Sequence, residues 1–265
     1  MSRTVGIITN NAKHVFQRSV IAGMREIAHG HDLNVKVNAL EEGPLNWSGM
    51  DAVVVVANAV SDSQIEMIRA AGKPVTLISH QIPHLPIPSL APNNDEGVRQ
   101  LVRHLVEDCR RSDVVFIRGD MTQIDAIERE TAIRRELMRA GLPLRDELFL
   151  RGDFEPQVAH ESLMALLHLR PMDYDAIIAG DYLMGVAALE VLAASDIDVP
   201  GQISVVGFGD GAEAQAAGLT TVAADVIELG RRAARQIIGQ LNGLKIAGQT
   251  IFSTQLIVRK TSIPT

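Results

Sequence analysis

Apolar runs of strand length alternate with helix-length amphipathic segments along the whole chain, and this alternation constrains the fold more than any single motif. The run Asp51–Ala57 (DAVVVVA) is apolar almost without interruption. That is the pattern of a strand covered on both faces in a parallel sheet, since a strand with one wet face would alternate polar and apolar residues. Thr4–Thr9, Leu33–Ala39 and Pro74–Ile78 read as further strands. Between them, Val15–Gly30 carries Val20, Met24 and Ile27 at helical spacing with Gly30 as a stop. Ser61–Ala71 starts on a capping serine and ends before Gly72. The rhythm continues with helices expected over Asn94–Asp108, Ala126–Ala140, Glu155–Leu169, Asp181–Ala194 and Val226–Leu241. Strands are expected over Asp113–Ile117, Leu148–Leu150, Asp175–Ala179, Ile203–Phe208 and Thr254–Val258. Such alternation builds parallel sheets with helices on both faces. At least eight strand candidates in 265 residues divide better between two sheets than they fit in one. The expected fold is therefore α/β, with two Rossmann-like lobes. No Pro-rich or Ser-rich tether marks a midpoint, so several short crossings are expected to join them.

Charge and cysteine content narrow the setting. The net charge is −7, and no basic run is longer than the pairs Arg110-Arg111, Arg134-Arg135 and Arg231-Arg232. Nonspecific nucleic-acid affinity needs clustered cations to neutralise phosphates, so the chain by itself should bind DNA poorly. The single cysteine, Cys109, permits no internal disulfide and no cysteine cluster for zinc, which fits a reducing cytoplasm. The opening MSRTVGII runs straight into a strand, without a basic region followed by a long apolar one, so no secretory signal is read there. No apolar stretch is long enough to span a bilayer.

In open parallel sheets, ligands bind beyond the carboxyl ends of the strands. The candidate segments are then Asn10–Phe16, Asn58–Ser61, Ser79–His84, Arg118–Arg129, Gly152–Glu155, Gly180–Tyr182 and Gly209–Gly211. None of them looks catalytic. There is no phosphate-binding GxxxxGK[ST] loop and no GxSxG elbow, and Gly207–Gly211 lacks the GxGxxG spacing. Cys109 closes an expected helix, where the dipole raises a thiol pKa. His80 and His84 are four apart, but Pro83, Pro86 and Pro88 forbid a helix there, so they read as hydrogen-bonding partners and not as metal ligands. No catalytic residue, metal or cofactor is expected. Only 3% of the chain is aromatic, so Phe16 and Phe154 stand out at post-strand positions. Each is either core or a ring surface for a small molecule. Arg129, Asp181 and Asp210 either give directional hydrogen bonds to a ligand or form structural ion pairs.

The order of these segments resembles the lactose/galactose-repressor (LacI/GalR) family of transcription regulators. VGIITNNAKHVFQRSVIAGM resembles that family's first strand, ligand loop and helix. Further matches are DAVVVVA with AAGKPVTLIS, AIERETAIRRELMRAGLP, RGDFEPQVAHESLMALL, DAIIAGDYLMGVAALEVL, DVPGQISVVGFGD, GLTTVAADVIELGRRAARQII and the ending TQLIVRKTSIP. The resemblance implies a type-I periplasmic-binding-protein fold with three crossovers. The N-terminal lobe is expected from 1–110 plus about 225–250, and the C-terminal lobe from 111–224 plus about 251–265. It also implies a homodimer with a small-molecule effector, sugar-like or a related metabolite, in the interlobe cleft. Operator DNA would be reached only through a helix-turn-helix head, which this sequence does not contain. Asn11 and Phe16 fall on the family's first ligand loop, Arg129 on its helix arginine and Phe154 where an aromatic packs on the ligand. Asp181 is retained, and Asn93 opens the segment where the family usually has Asp-Asn-x-x-Gly. Three positions depart from the pattern: Ser79 replaces a common Asp, Gly209 replaces the first Asp of Gly-Phe-Asp-Asp and leaves Asp210, and Ala224 replaces a frequent Gln. Fewer acceptors mean less discrimination of hydroxyl groups. The expected protein is thus a cytoplasmic, non-enzymatic regulator core. A solute-binding protein of a sugar transport system shares the fold and is the alternative. An enzyme on the same scaffold has no motif in its favour.

Overall fold

The computed structural model describes residues 2–264. The chain opens with β1 (Arg3–Thr9), α1 (Val15–His29), β2 (Leu33–Ala39), β3 (Ala52–Val56), α2 (Asp62–Ala70), β4 (Val75–Ile78) and β5 (Ser89–Pro92). Next come α3 (Asn94–Arg103), β6 (Val114–Ile117), α4 (Ile124–Arg139), β7 (Phe149–Leu150), α5 (Pro156–Leu169) and β8 (Ala176–Ala179). They are followed by α6 (Tyr182–Ala194), β9 (Ser204–Phe208), α7 (Ala212–Ala217) and β10 (Thr220–Ala223). The chain ends with α8 (Val226–Leu241), β11 (Gln249–Phe252) and β12 (Gln255–Ile257). These elements form two compact units. The first takes the chain through Pro92 and then Asp225–Phe252; the second takes Asn93–Ala224 and the stretch from Ser253 onward. The backbone therefore passes between units three times.

The first unit holds a six-stranded parallel sheet in the order β11-β5-β4-β3-β1-β2. All five residues of β3 are buried, as the uninterrupted valine run requires. Val54 and Val56 join Val20 and Met24 of α1 and Leu229 and Ile237 of α8 on one face. Val53 and Val55 join Ile65 and Ile68 of α2 on the other. α1 and α8 approach closely enough that a Cβ on Gly23 would lie 2.0 Å from the Ile227 carbonyl oxygen. One on Gly230 would lie 2.2 Å from that of Val20, so only glycine fits at either crossing point. Ser61 caps α2 in a reciprocal capping box with Gln64.

The second unit repeats the design in the order β12-β10-β9-β8-β6-β7, parallel except for β12, which runs antiparallel to β10. Phe116 and Ile178 of its sheet pack with Leu101 and Leu105 and with Ile133 and Leu137 of α4. The first crossing falls at Pro92–Asn93, not at 110, because α3 packs on the second unit's α4 and contributes to that unit's core. The helix expected over Asn94–Asp108 is α-helical only to Arg103; His104–Asp108 forms a π-helical turn. Cys109, just beyond it, is buried, and burial pushes its thiol pKa up, with Asp108 adding to the rise and Arg111 and Ser204 opposing it. β5, β10, β11 and α7 were not expected from the sequence. Each is four to six residues long, and β11 is half-exposed.

Candidate ligand-binding site

In the second unit, β6, β7, β8 and β9 run parallel and open their carboxyl ends into neighbouring loops. The β7–α5 loop carries Asp153 and Phe154 with φ of 55° and 60°. Consecutive left-handed backbone at non-glycine residues costs of order 1–3 kcal/mol each and clusters at ligand clamps. Here it is fixed by Asp153 N–H donating to the Arg118 carbonyl (3.0 Å) and Glu155 N–H donating to that of Gly152 (2.8 Å). The Phe154 ring lies against the backbone of Gly119: a Cβ there would sit 2.1 Å from Cζ. Gly119, two residues beyond β6, is what lets the ring lie where it does.

Arg129, one turn into α4, organises the neighbourhood. Its Nε donates to Asn94 Oδ1 (3.0 Å) and its Nη1 to the Gly180 carbonyl (2.6 Å). Its guanidinium carbon lies 4.8 Å from the Phe208 ring centroid and 5.9 Å from that of Phe154, within cation–π range of both. Asn94 Nδ2 donates to Asp125 Oδ1 and Glu128 Oε2, each at 2.8 Å. Burial raises the Glu128 pKa, partly countered by the Asn94 hydrogen bond; Asp125 and Asp95 add to the rise and Arg129 opposes it. Asn94, Asp125 and Glu128 were missed by the sequence reading. Asn93 was chosen instead, but its Oδ1 accepts from Glu96 N–H (3.0 Å) and caps α3, so the buried member of the NNDEG segment is its neighbour.

The acidic candidates divide. Asp181 caps α6, its Oδ1 accepting from Met184 N–H at 2.8 Å, and it stays beside the Gly180 carbonyl that Arg129 holds. Asp210 is locked in a two-pronged pair with Arg259, whose Nη1 and Nη2 reach Oδ1 and Oδ2 at 2.8 and 2.9 Å. Thr221 Oγ1 and Gln215 Nε2 add a donor each at 3.2 Å. Burial alone would raise the Asp210 pKa, but these donors outweigh it and hold the carboxyl below its usual range. Asp210 is thus one member of a structural ion pair. Arg259, in the LIVRK ending, was not singled out.

The first unit brings a different chemistry to its strand ends. Asn11 Oδ1 accepts from the N–H groups of Lys13 (2.8 Å) and His14 (3.1 Å), which shapes the β1–α1 loop. Phe16 is half-buried and packs on the unit's core. Ser79, directly after β4, has φ of 50° and is 2% exposed. Its Oγ has no hydrogen-bond partner among the described residues, and neither have Thr9 Oγ1 and Asn58 Oδ1 at the ends of the adjacent β1 and β3. Buried polar atoms left alone cost free energy, so such sites mark places where a partner is expected. His80 and His84 act as hydrogen-bond partners, their Nε2 atoms facing Asp62 (2.8 Å) and Glu66 (3.4 Å) on α2. No group of three or more His, Cys, Asp or Glu among the described residues could hold a metal ion. No helix among them is long and apolar enough to cross a membrane.

The family model of the periplasmic binding protein-like domain matches residues 102–262, more than half of the chain. The chain belongs to that family. Within it, the chain is similar to transcription regulators, among them solved structures of the LacI family. The regulator CelR of Thermobifida fusca, an HTH-type transcriptional regulator, is 29% identical over 229 residues, covering 83% of this chain and 65% of that protein. DegA of Bacillus subtilis (strain 168), another HTH-type regulator, is 25% identical over 259 residues, covering 96% of this chain and 76% of DegA. This core thus spans about two thirds of the length of several curated relatives. Among solved structures, a CelR–cellobiose complex superposes with a TM-score of 0.87 at 23% identity, covering 98% of this chain and 86% of that one. A lac repressor dimer bound to operator and the anti-inducer ONPF superposes at 0.85 with 19% identity, covering 99% and 95%. At these identities the superpositions establish the shared fold.

Proposed function

We propose that this chain is the effector-binding and dimerising core of a transcription regulator, with a sugar-like small molecule read by strand-end loops. The arrangement around Arg129 and Phe154 carries the reading. A strained aromatic platform stands beside a guanidinium that is already aligned by Asn94 and Gly180. An aromatic face beside directional polar groups suits a ring bearing hydroxyls. Ser79 Oγ, Thr9 Oγ1 and Asn58 Oδ1 in the first unit are hydrogen-bonding groups in want of partners. The cellobiose complex of CelR supports a sugar as the class of ligand. In this reading the protein acts in the cytoplasm and performs no catalysis. Ligand binding shifts the balance between two states by its differential affinity, and a helix-turn-helix head of the kind found in longer relatives converts the shift into operator affinity. The names of those relatives favour regulation over delivery to a permease.

Small molecules extracted from the purified protein and identified by mass spectrometry supply the ligand for the test. Phe154→Ala should then weaken its binding by about 1–3 kcal/mol, the scale of losing an aromatic or aliphatic contact, while the melting temperature without ligand changes little. If Phe154 were only core, the same change would cost about 3–5 kcal/mol of stability and leave affinity untouched, and that outcome sinks the assignment. Sedimentation should further show a dimer at micromolar protein; a monomer would count against the regulator reading.

A further inference from the structure

The first unit carries a second concave surface, at the amino ends of its strands. It lies between the α2–β4 loop, the segment leading into β5 and the α8–β11 connection. Its floor is apolar, with Val75, Ile87 and Ile246, and Pro74, Pro86 and Pro88 stiffen its walls. Three cations line it: Arg69, Lys73 and Lys245. No aspartate or glutamate does. That is unusual in a chain with 32 acidic against 25 basic residues. Arg69 and Lys245 enter no ion pair or side-chain hydrogen bond among the described residues. Lys73 is held in place: its ammonium donates to the Met50 carbonyl and lies 5.7 Å from the ring centroid of Trp47.

We infer that this groove binds a small phosphate monoester with an apolar body. Three cations without counter-charge favour an anion, and a phosphate monoester carries about −1.5 to −2 at neutral pH where a carboxylate carries −1. The planar fork of Arg69 matches phosphate oxygens in pairs, and the lysines act as point charges. The apolar floor and proline walls cover the organic part of the ligand. The site is separate from the proposed effector contacts. Asn11, Phe16 and Ser79 follow strands, whereas Pro74, Pro88 and Ala247 precede β4, β5 and β11 in the same parallel sheet.

Trp47 is the only tryptophan, so its fluorescence reports on the Lys73 end of the groove. Phenyl phosphate is the probe, with phenol and benzoate as controls and calorimetry as the second readout. Saturable binding of phenyl phosphate is expected, with a change in Trp47 emission. Benzoate should bind at least about tenfold more weakly, phenol should not bind, and added salt should weaken the phosphate as exposed charges are screened. The double variant Arg69→Gln/Lys245→Gln should lose at least about tenfold in affinity at an unchanged melting temperature. Absence of both heat and emission change in the parent overturns the assignment. So does phenol binding as well as phenyl phosphate, or a double variant that binds like the parent.

Discussion

Asp210→Asn should lower the unfolding free energy at neutral pH by about 2–4 kcal/mol, the range for breaking a partly buried, hydrogen-bonded charge pair. The Asp210–Arg259 pair ties the β9–α7 loop to the C-terminal segment after β12, with side chains only 14% and 19% exposed. Asparagine keeps the shape but leaves the guanidinium without a counter-charge. The acid dependence identifies the cause. The folded carboxyl is held below its ordinary range by Arg259, Gln215 and Thr221 against the opposing effect of burial. A depressed carboxyl contributes stability that is complete above the unfolded pKa, about 4, and is lost as pH falls through the folded one. The gap between parent and variant in urea denaturation should therefore be widest near pH 7 and narrow toward pH 3. A gap that stays constant with pH would show that the pair contributes through packing alone.

Arg129→Leu should cost both stability and ligand affinity: about 2–4 kcal/mol of the first and at least about tenfold of the second. The leucine fills part of the volume, but the Gly180 carbonyl and Asn94 Oδ1 lose their donor, and Phe208 and Phe154 lose the cation. Glu128, its pKa already raised by burial, also loses a nearby positive charge. A raised carboxyl pKa means that the folded state holds its proton more tightly than the unfolded one, so its ionisation costs stability above the folded pKa and the cost fades as pH falls through it. The destabilisation by leucine should then shrink between neutral and acidic pH. Arg129→Lys restores the charge without the fork, so it should recover part of the stability but little of the affinity. Full recovery of both by lysine would reduce the role of Arg129 to charge alone.

The parts of the molecule built from long regular patterns were legible in the sequence. DAVVVVA has the pattern of a doubly covered strand, and the helices over Val15–His29 and Val226–Leu241 follow from their apolar spacing. What was not legible depended on partners distant in sequence. β5 and β11 are four-residue strands; β5 pairs with β4 on one side, and β11 exists by pairing with β5 across more than a hundred and fifty residues. The ion pair of Asp210 depends on Arg259, which comes from the C-terminal segment. Asn94, and not Asn93, reaches Arg129 because the first turn of α3 buries one side chain and uses the other as a cap. Phe154 stood out because aromatics are rare here, yet its left-handed backbone and its seat on Gly119 left no mark in the local sequence.

The threefold passage of the chain between units sets an order of assembly on the ribosome. Residues through Pro92 emerge before the second unit, yet the α1 face bearing Val20 and Met24, packed on Val54 and Val56, gains its α8 partners Leu229 and Ile237 only more than a hundred residues later. The glycine crossings at Gly23 and Gly230 join the first helix among the described residues to the last. The second unit, whose core draws almost wholly on the continuous stretch Asn93–Ala224, can collapse while the first still waits. The half-built first unit thus exposes aliphatic surface and an unfinished sheet edge during synthesis, the state in which nascent chains aggregate or recruit chaperones. Stalling translation between 224 and 252 should capture a chain whose later-made unit resists protease while its earlier-made one is digested.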